Sequence, residues 1–295
     1  MEPGRARAFV TIVVAYLAAL AAAIAVGYAM RDRPDWQIVL AADVAATAVV
    51  FAFSVARDNS SVYDAYWSVA PIAIAPWLAT RASPDVPALR RALVLALVVA
   101  WGVRLTWNWA RGWQGFAHED WRYVDIRARA GRAYWPVSFL GIHLAPTIWV
   151  YLGCLSLFPA LETGTGALGP LDLVAFAVTA GAIALEATAD QQLRAFRASA
   201  PRAGEIMARG LWRWSRHPNY LGEISFWWGL YLFALAADPS AWKAIVGPLS
   251  ITLLFNLVSV PMLDRRSVAR RAAYADHIAR VPGLLPRPWR RAGES

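Results

Sequence analysis

Long apolar runs separated by short polar stretches dominate the chain. They fall near Phe9–Met30, Gln37–Ala56, Ala65–Thr80, Ala88–Ala110, Pro136–Ala160, Leu171–Ala189, Leu221–Ala237 and Trp242–Leu263. A helix needs about 20 mostly apolar residues to cross a bilayer. Most of the runs meet that length; the third and seventh are short, which suits tilted, re-entrant or protein-covered segments. No stretch alternates with the two-residue period of barrel strands, and no long repeat is visible. The pattern predicts an all-α fold, a polytopic transmembrane helical bundle with seven or eight spans, eight being preferred. The first run is about 22 residues long and a second follows closely, so it reads as a retained span and not a cleaved signal. Two regions follow: N-terminal transmembrane helices over 1–60, and a membrane domain with polar cytoplasmic loops over 61–295.

Composition strengthens this picture. The chain is 58% hydrophobic and 17% charged, against roughly 45–50% and about 25% in soluble domains. Disorder, collagen and a disulfide scaffold are excluded, and an ordinary soluble enzyme does not fit. The 16 Trp residues suit membrane–water boundaries. The net charge is +9, from 29 basic and 20 acidic residues, and Lys243 is the only lysine. In so apolar a chain this excess belongs to cytoplasmic loops, and no nucleic-acid partner is expected. Cys154 is the single cysteine, which leaves no intrachain disulfide.

Loop charge orients the spans. Arg5 and Arg7 precede the first run, and the segments Arg111–Arg132, Arg194–Arg216 and Arg265–Arg291 are rich in Arg. The loops Leu161–Pro170 and Asp238–Ala241 contain no Lys or Arg. Eight spans place both termini and all three Arg-rich segments in the cytoplasm, where they converge on one mouth of the bundle. Arg81, Arg90 and Arg91 run against this orientation.

Ionisable groups at membrane depth are costly and are candidate functional residues. Asp43, Asp64, Arg104, His143 and Glu186 all fall in or beside apolar runs. Structural pairing is the competing reading, for example Asp64 with Arg104. The four histidines form no His-x-x-x-His pair, and no metal is expected. The chain has no nucleophile elbow, P-loop or Gly-x-Gly-x-x-Gly fingerprint.

Three polar segments are the most informative. His118-Glu-Asp-Trp-Arg-Tyr-Val-Asp-Ile-Arg127 sets Tyr123 and Asp125 among charges between two apolar runs. Glu186-Ala-Thr-Ala-Asp-Gln-Gln-Leu-Arg-Ala-Phe-Arg197 puts Glu186, Asp190 and Arg197 on one helix face, where carboxylates suit ribose hydroxyls and Arg suits phosphate. In Gly210-Leu-Trp-Arg-Trp-Ser-Arg-His-Pro-Asn-Tyr-Leu-Gly-Glu223, Pro218 opens a helix. The free N–H donors of that helix start, with Arg213, Arg216 and His217, make a candidate anion site. Asn219, Glu223 and Trp227 share a face, and Tyr220 sits beside it.

In this order the segments resemble the bacterial membrane proteins related to steroid 5-alpha-reductases, a family often labelled a domain of unknown function. More distantly the chain is similar to isoprenylcysteine carboxyl methyltransferases. The resemblance runs roughly from Asp64 to Pro286. It implies NADPH in the cytoplasmic mouth of a helical bundle and a lipophilic substrate entering from the bilayer, with membrane lipids as neighbours. By resemblance Asp190, Arg197, Asn219 and Glu223 bind the dinucleotide, with Trp227 beside it, and Arg104 lies near the cofactor. Glu186 stands where the steroid enzymes have Asn. Trp101 stands at the catalytic Tyr position, and Asp64 is the nearest equivalent of the catalytic Glu. The expected activity is reduction of a polarised C=C bond in an inner membrane, with Asp64 as proton donor and Tyr63, Tyr66 and Tyr123 in reserve. The alternatives are an S-adenosylmethionine-dependent lipid methyltransferase and a non-enzymatic transporter or scaffold.

Overall fold

The computed structural model describes residues 3–202 and 204–286. Among these it is all-helical, with no strand. The helices are α1 (Pro3–Ala29), α2 (Asp35–Ala56), α3 (Tyr66–Thr80), α4 (Ala88–Gly112), α5 (Trp121–Ala130), α6 (Tyr134–Ser138) and α7 (Ala145–Cys154). They continue as α8 (Pro170–Ala198), α9 (Pro218–Ala237), α10 (Val246–Leu254), α11 (Val260–Arg270) and α12 (Tyr274–Arg280). Arg287, Arg290 and Arg291 of the predicted basic tail lie outside the described residues.

Among the described residues five helical stretches are long and apolar enough to cross a membrane: Gly4–Ala29, Asp35–Ala56, Trp121–Thr163, Pro170–Ala198 and Pro239–Arg270. The other predicted runs form helices that fall short of that measure. Helix α3 has only 15 residues and contains Pro71 and Pro76. Helix α4 carries Arg90, Arg91 and Arg104, and α9 carries Glu223 within 20 residues. Two of the long stretches are jointed. A π-helical turn at Phe139–Leu144 precedes Pro146, and another at Phe255–Ser259 precedes Pro261. Proline cannot donate to the preceding turn, so the helical ladder slips there without breaking.

One apolar core surrounds Trp101, Phe226 and Trp227 between α4, α7, α8 and α9, and a second joins α1, α2 and α3. Helices α8 and α9 approach closely through small residues. A Cβ on Gly222 would stand 2.7 Å from Glu186 Cβ, and one on Gly229 would collide with Thr179. This contact brings α9 against the acidic face of α8.

Arg90 locks one end of the bundle. It is fully buried, and its Nε and Nη2 donate to Asp172 Oδ1 and Oδ2 at 2.6 and 2.9 Å. Further bonds reach the carbonyls of Gly166 (2.7 Å), Ala167 (3.2 Å) and Ala236 (3.2 Å). Arg81 donates to Asp35 at 2.6 Å. Two of the arginines that ran against the loop-charge orientation are therefore neutralised by carboxylates. We predict that Arg90→Ala strands a buried carboxylate and lowers stability by about 3–5 kcal/mol, read as a fall in Tm in detergent. An unchanged Tm would show the lock to be dispensable.

Candidate functional site

The site grows from one face of α4. Trp101, Arg104 and Asn108 are spaced i, i+3, i+7, so they project toward α8 and α9 together. Arg104 Nη1 donates to Asp190 Oδ2 at 3.0 Å, and its Nη2 lies 2.6 Å from Glu186 Oε2 without hydrogen-bond alignment. Asn108 Nδ2 shares Asp190 Oδ2 at 3.0 Å, and Arg194 Nη2 donates to Asn108 Oδ1 at 2.7 Å. From α9, the buried Glu223 carboxylate accepts from Trp101 Nε1 and from Trp227 Nε1, each at 2.9 Å. Trp101 also stacks on Phe226, with ring centres 4.5 Å apart. Two guanidinium groups, three carboxylates and two indole donors thus meet in a small volume. Arg104 Nη2 and Glu186 Oε2 answer each other as an ion pair, while Arg104 Nε and Arg194 Nε are buried there without hydrogen-bond partners. Unfilled buried donors of this kind carry a cost that a polar ligand removes.

A second cluster lies under α5. Asp120 caps this helix by accepting from Arg122 N at 2.9 Å. Tyr123 then turns inward, and its hydroxyl donates to Asp64 Oδ1 at 2.7 Å. Asp64 stands between the short 3-10 turn Ser60–Tyr63 and α3. Burial pushes its carboxyl up to about 6, against the lowering effects of the Tyr123 hydroxyl and the nearby Arg122. The Asp64–Arg104 pair offered as the competing reading does not form, because α8 supplies the counter-charges of Arg104 and α5 supplies the partner of Asp64.

The Arg-His-Pro turn is tied to the C-terminal segment. Arg216 pairs with Asp264 through Nε (3.3 Å) and Nη2 (2.7 Å), and His217 Nε2 lies 3.0 Å from Asp264 Oδ1. Arg216 Nη1 also reaches the carbonyls of Ile278 and Val281. The backbone N–H groups of Arg216 and His217 donate to the carbonyls of Pro282 and Gly283 at 2.9 and 3.1 Å. These two side chains are occupied within the protein. Arg197 and Arg213 are exposed, as is Asp125 on the outer face of α5. Asn219 and Tyr220 are half-buried in the first turn of α9, and Tyr220 stacks on His217 at 5.5 Å.

An apolar cavity of about 760 Å³ lies between α1, α2, α3 and the end of α4. Asp43 and Tyr66 provide polar groups in its wall, and the Tyr66 hydroxyl donates to Asp43 Oδ1 at 2.7 Å. Tyr16 also lines the cavity, and its hydroxyl donates to the carbonyl of Val62 at 2.9 Å, two residues before Asp64. His143 is fully buried and bonded to Ser54 (2.9 Å) and to the carbonyl of Ser138 (3.0 Å), a structural environment. Among the described residues no group of three or more His, Cys, Asp or Glu could hold a metal ion.

The sequence reading did not single out Asn108, Arg194 or Asp264, and it treated Trp101 only as a departure. The helical spacing from Trp101 to Asn108, and from Asp190 to Arg194, was available as a signal. Nothing local marks Asp264, 48 residues from Arg216.

A stability measurement tests the burial of Asp64. Its pKa in the folded state, about 6, lies above the unfolded value of 3.8. The folded state therefore holds the proton in that window, and stability falls as pH rises through it. Asp64→Asn removes this dependence. Its stability relative to the parent protein is expected to rise by about 3 kcal/mol between pH 3.5 and pH 7, and a pH-independent difference would contradict the buried carboxyl.

Comparison with known proteins places this geometry in a family. The family described as "Protein of unknown function (DUF1295)" matches residues 50–281, which include the Arg104, Asp64–Tyr123 and Arg216–Asp264 clusters and leave out α1, most of α2 and the tail contacts beyond Val281. An uncharacterized protein of Schizosaccharomyces pombe (strain 972 / ATCC 24843), C594.04c, is 29% identical over 228 residues, covering 68% of this chain and 66% of the relative. The chain thus spans just under two thirds of that relative's length. No solved structure matches. With most of its length inside the matched region, the chain belongs to the DUF1295 family.

Proposed function

We propose that the protein is a membrane-embedded, NADPH-dependent reductase of a polarised C=C bond in a lipophilic substrate. In this reading eight helical segments cross an inner (plasma) membrane, α3, α4 and α9 among them, and both termini are cytoplasmic. The observation that carries the proposal is the Arg104 constellation, a largely buried guanidinium gathered with three carboxylates between α4, α8 and α9. Its donor set suits a dinucleotide. Asp190 and Glu186 are acceptors for ribose hydroxyls, and the exposed Arg197 and Arg213 are available for phosphates. Asn219, half-buried at the start of α9, offers an amide beside the free N–H groups of that helix end. Arg216 and His217 support this turn indirectly, by anchoring it to Asp264.

NADPH, when bound, supplies the hydride. The chain's own residues have three tasks. Glu223, held by two indole N–H groups, keeps α4 and α9 in register beneath the cofactor region. The cavity beside Asp43 and Tyr66 offers a dry space for an apolar substrate body. Asp64, raised to about 6 by burial, is protonated below that pH and keeps a minor protonated share at pH 7, with Tyr123 donating to its Oδ1. Reduction of such a bond would build negative charge on the substrate carbonyl oxygen, where a hydrogen-bond donor would stabilise it, and the α-carbon would take its proton from solvent. Asp64 is the donor in this scheme.

Two measurements test the proposal. Titration with NADPH, NADH and S-adenosylmethionine should give a stability increase selective for NADPH, about 2.7 kcal/mol at 100 times its Kd. Asn219→Ala and Arg197→Ala should each weaken that shift without loss of folding. Stabilisation by S-adenosylmethionine alone would instead favour a methyltransferase. Asp64→Asn should retain NADPH binding and lose turnover of an enone substrate by about 10²–10⁴-fold. Full turnover in this variant would remove Asp64 from the chemistry.

A further inference from the structure

A second cavity, of about 700 Å³, lies at the opposite end of the bundle from the Arg104 constellation. The start of α2, the turn Pro159–Thr163 and the turn Pro239–Ile245 enclose it. Trp36, Tyr151, Leu155 and Phe158 make its wall apolar and largely aromatic. Three charged side chains interrupt that wall: Asp35, Glu162 and Lys243.

The charges are unevenly matched. Asp35 Oδ2 accepts from Arg81 Nε at 2.6 Å, while Asp35 Oδ1 is buried without a partner. Glu162 is only 9% exposed, and its Oε2 is likewise buried without a partner. The two carboxyls are in hydrogen-bond contact with each other, an arrangement that one shared proton satisfies. Without that proton two acceptor groups face one another with a single cation, Arg81, paired to Asp35. Lys243 is exposed at the rim and has no carboxylate at ion-pair distance among the described residues. It is also the only lysine in a chain that otherwise uses Arg for every positive charge.

We infer that this cavity binds one phospholipid with a primary-amine headgroup of the ethanolamine type. The ammonium carries three N–H donors and one positive charge, enough to replace the proton shared by Asp35 and Glu162, which passes to solvent, and to balance the second carboxylate. The phosphate, two carbons away, meets the Lys243 ammonium at the rim. An acyl chain lies along Trp36, Leu155 and Phe158. A trimethylammonium headgroup lacks N–H donors and cannot bridge the carboxyls, and an anionic headgroup is repelled by them. The site is independent of the cofactor region and does not rest on the proposed reductase activity.

Native mass spectrometry of the full-length protein tests the inference. Delipidated protein is re-equilibrated with equimolar dioleoyl phosphatidylethanolamine and phosphatidylcholine. One bound ethanolamine lipid is expected, preferred by roughly tenfold, the size of one charge-assisted hydrogen bond. Glu162→Gln keeps the shape of the side chain and should abolish the preference, and Lys243→Ala should reduce retention of both lipids. Equal retention of the two lipids by the parent protein would overturn the assignment, as would an undiminished preference in Glu162→Gln, because a proton shared by the two carboxyls would then suffice. Displacement by water-soluble phosphoethanolamine as readily as by the lipid would also overturn it, since the apolar wall would then contribute nothing. The readout is a bound mass and needs no NADPH.

Discussion

A guanidinium removed from water has to meet acceptors, and around Arg104 that requirement organises much of the molecule. Its two carboxylate neighbours come from α8, while Trp101, one turn earlier on α4, bonds the Glu223 carboxylate of α9. At the other end of α4, Arg90 repeats the arrangement with Asp172 of α8 and the Ala236 carbonyl of α9. Helix α4 is therefore held to the α8–α9 pair at both ends. Apolar packing alone would tolerate sliding along the helix axis; two charged anchors specify one register. Buried ion pairs add little net stability over apolar packing, so their contribution here is one of position, which a site made from three helices requires.

Glycine contacts complete that geometry. Gly222 lies directly against Glu186, so α9 approaches α8 at the level where the carboxylates gather. A side chain there would separate Glu223 from the Arg104 cluster. The same close approach explains why Glu223, on a helix with a mostly buried and aromatic surface, finds two indole donors and no lysine or arginine within hydrogen-bond range.

The Arg-rich turn before α9 divides its labour. Arg216 and His217 are taken up by Asp264 and by carbonyls within and just after α12, so the C-terminal segment is folded back onto the start of α9. Arg213 and Arg197 stay exposed, and Asn219 remains half-buried at the helix end. The turn is positioned by the first pair and leaves the second set free. A basic motif read from sequence as one anion site is in the folded protein a brace and a surface together.

The helical class, the main apolar runs and the α8 spacing of Glu186 and Asp190 were legible in the sequence, because 3.6-residue periodicity and hydrophobic length are local properties. The amphipathic α5 was only partly legible: its charges and aromatics stood out as a segment, but the Asp120 cap and the inward turn of Tyr123 depend on the docked helix. Pairing was not legible at all. Arg104 and Asp190 are 86 residues apart, Tyr123 and Asp64 are 59 apart, and Arg216 and Asp264 are 48 apart. Each arginine in an apolar run announced that it needed a counter-charge, and the sequence contained several carboxylates able to serve. Which carboxylate served was decided by the close approach of α8 to α9 and by the fold of the tail, since a Coulombic or hydrogen-bonded partner is chosen by distance in space and leaves no mark on spacing along the chain.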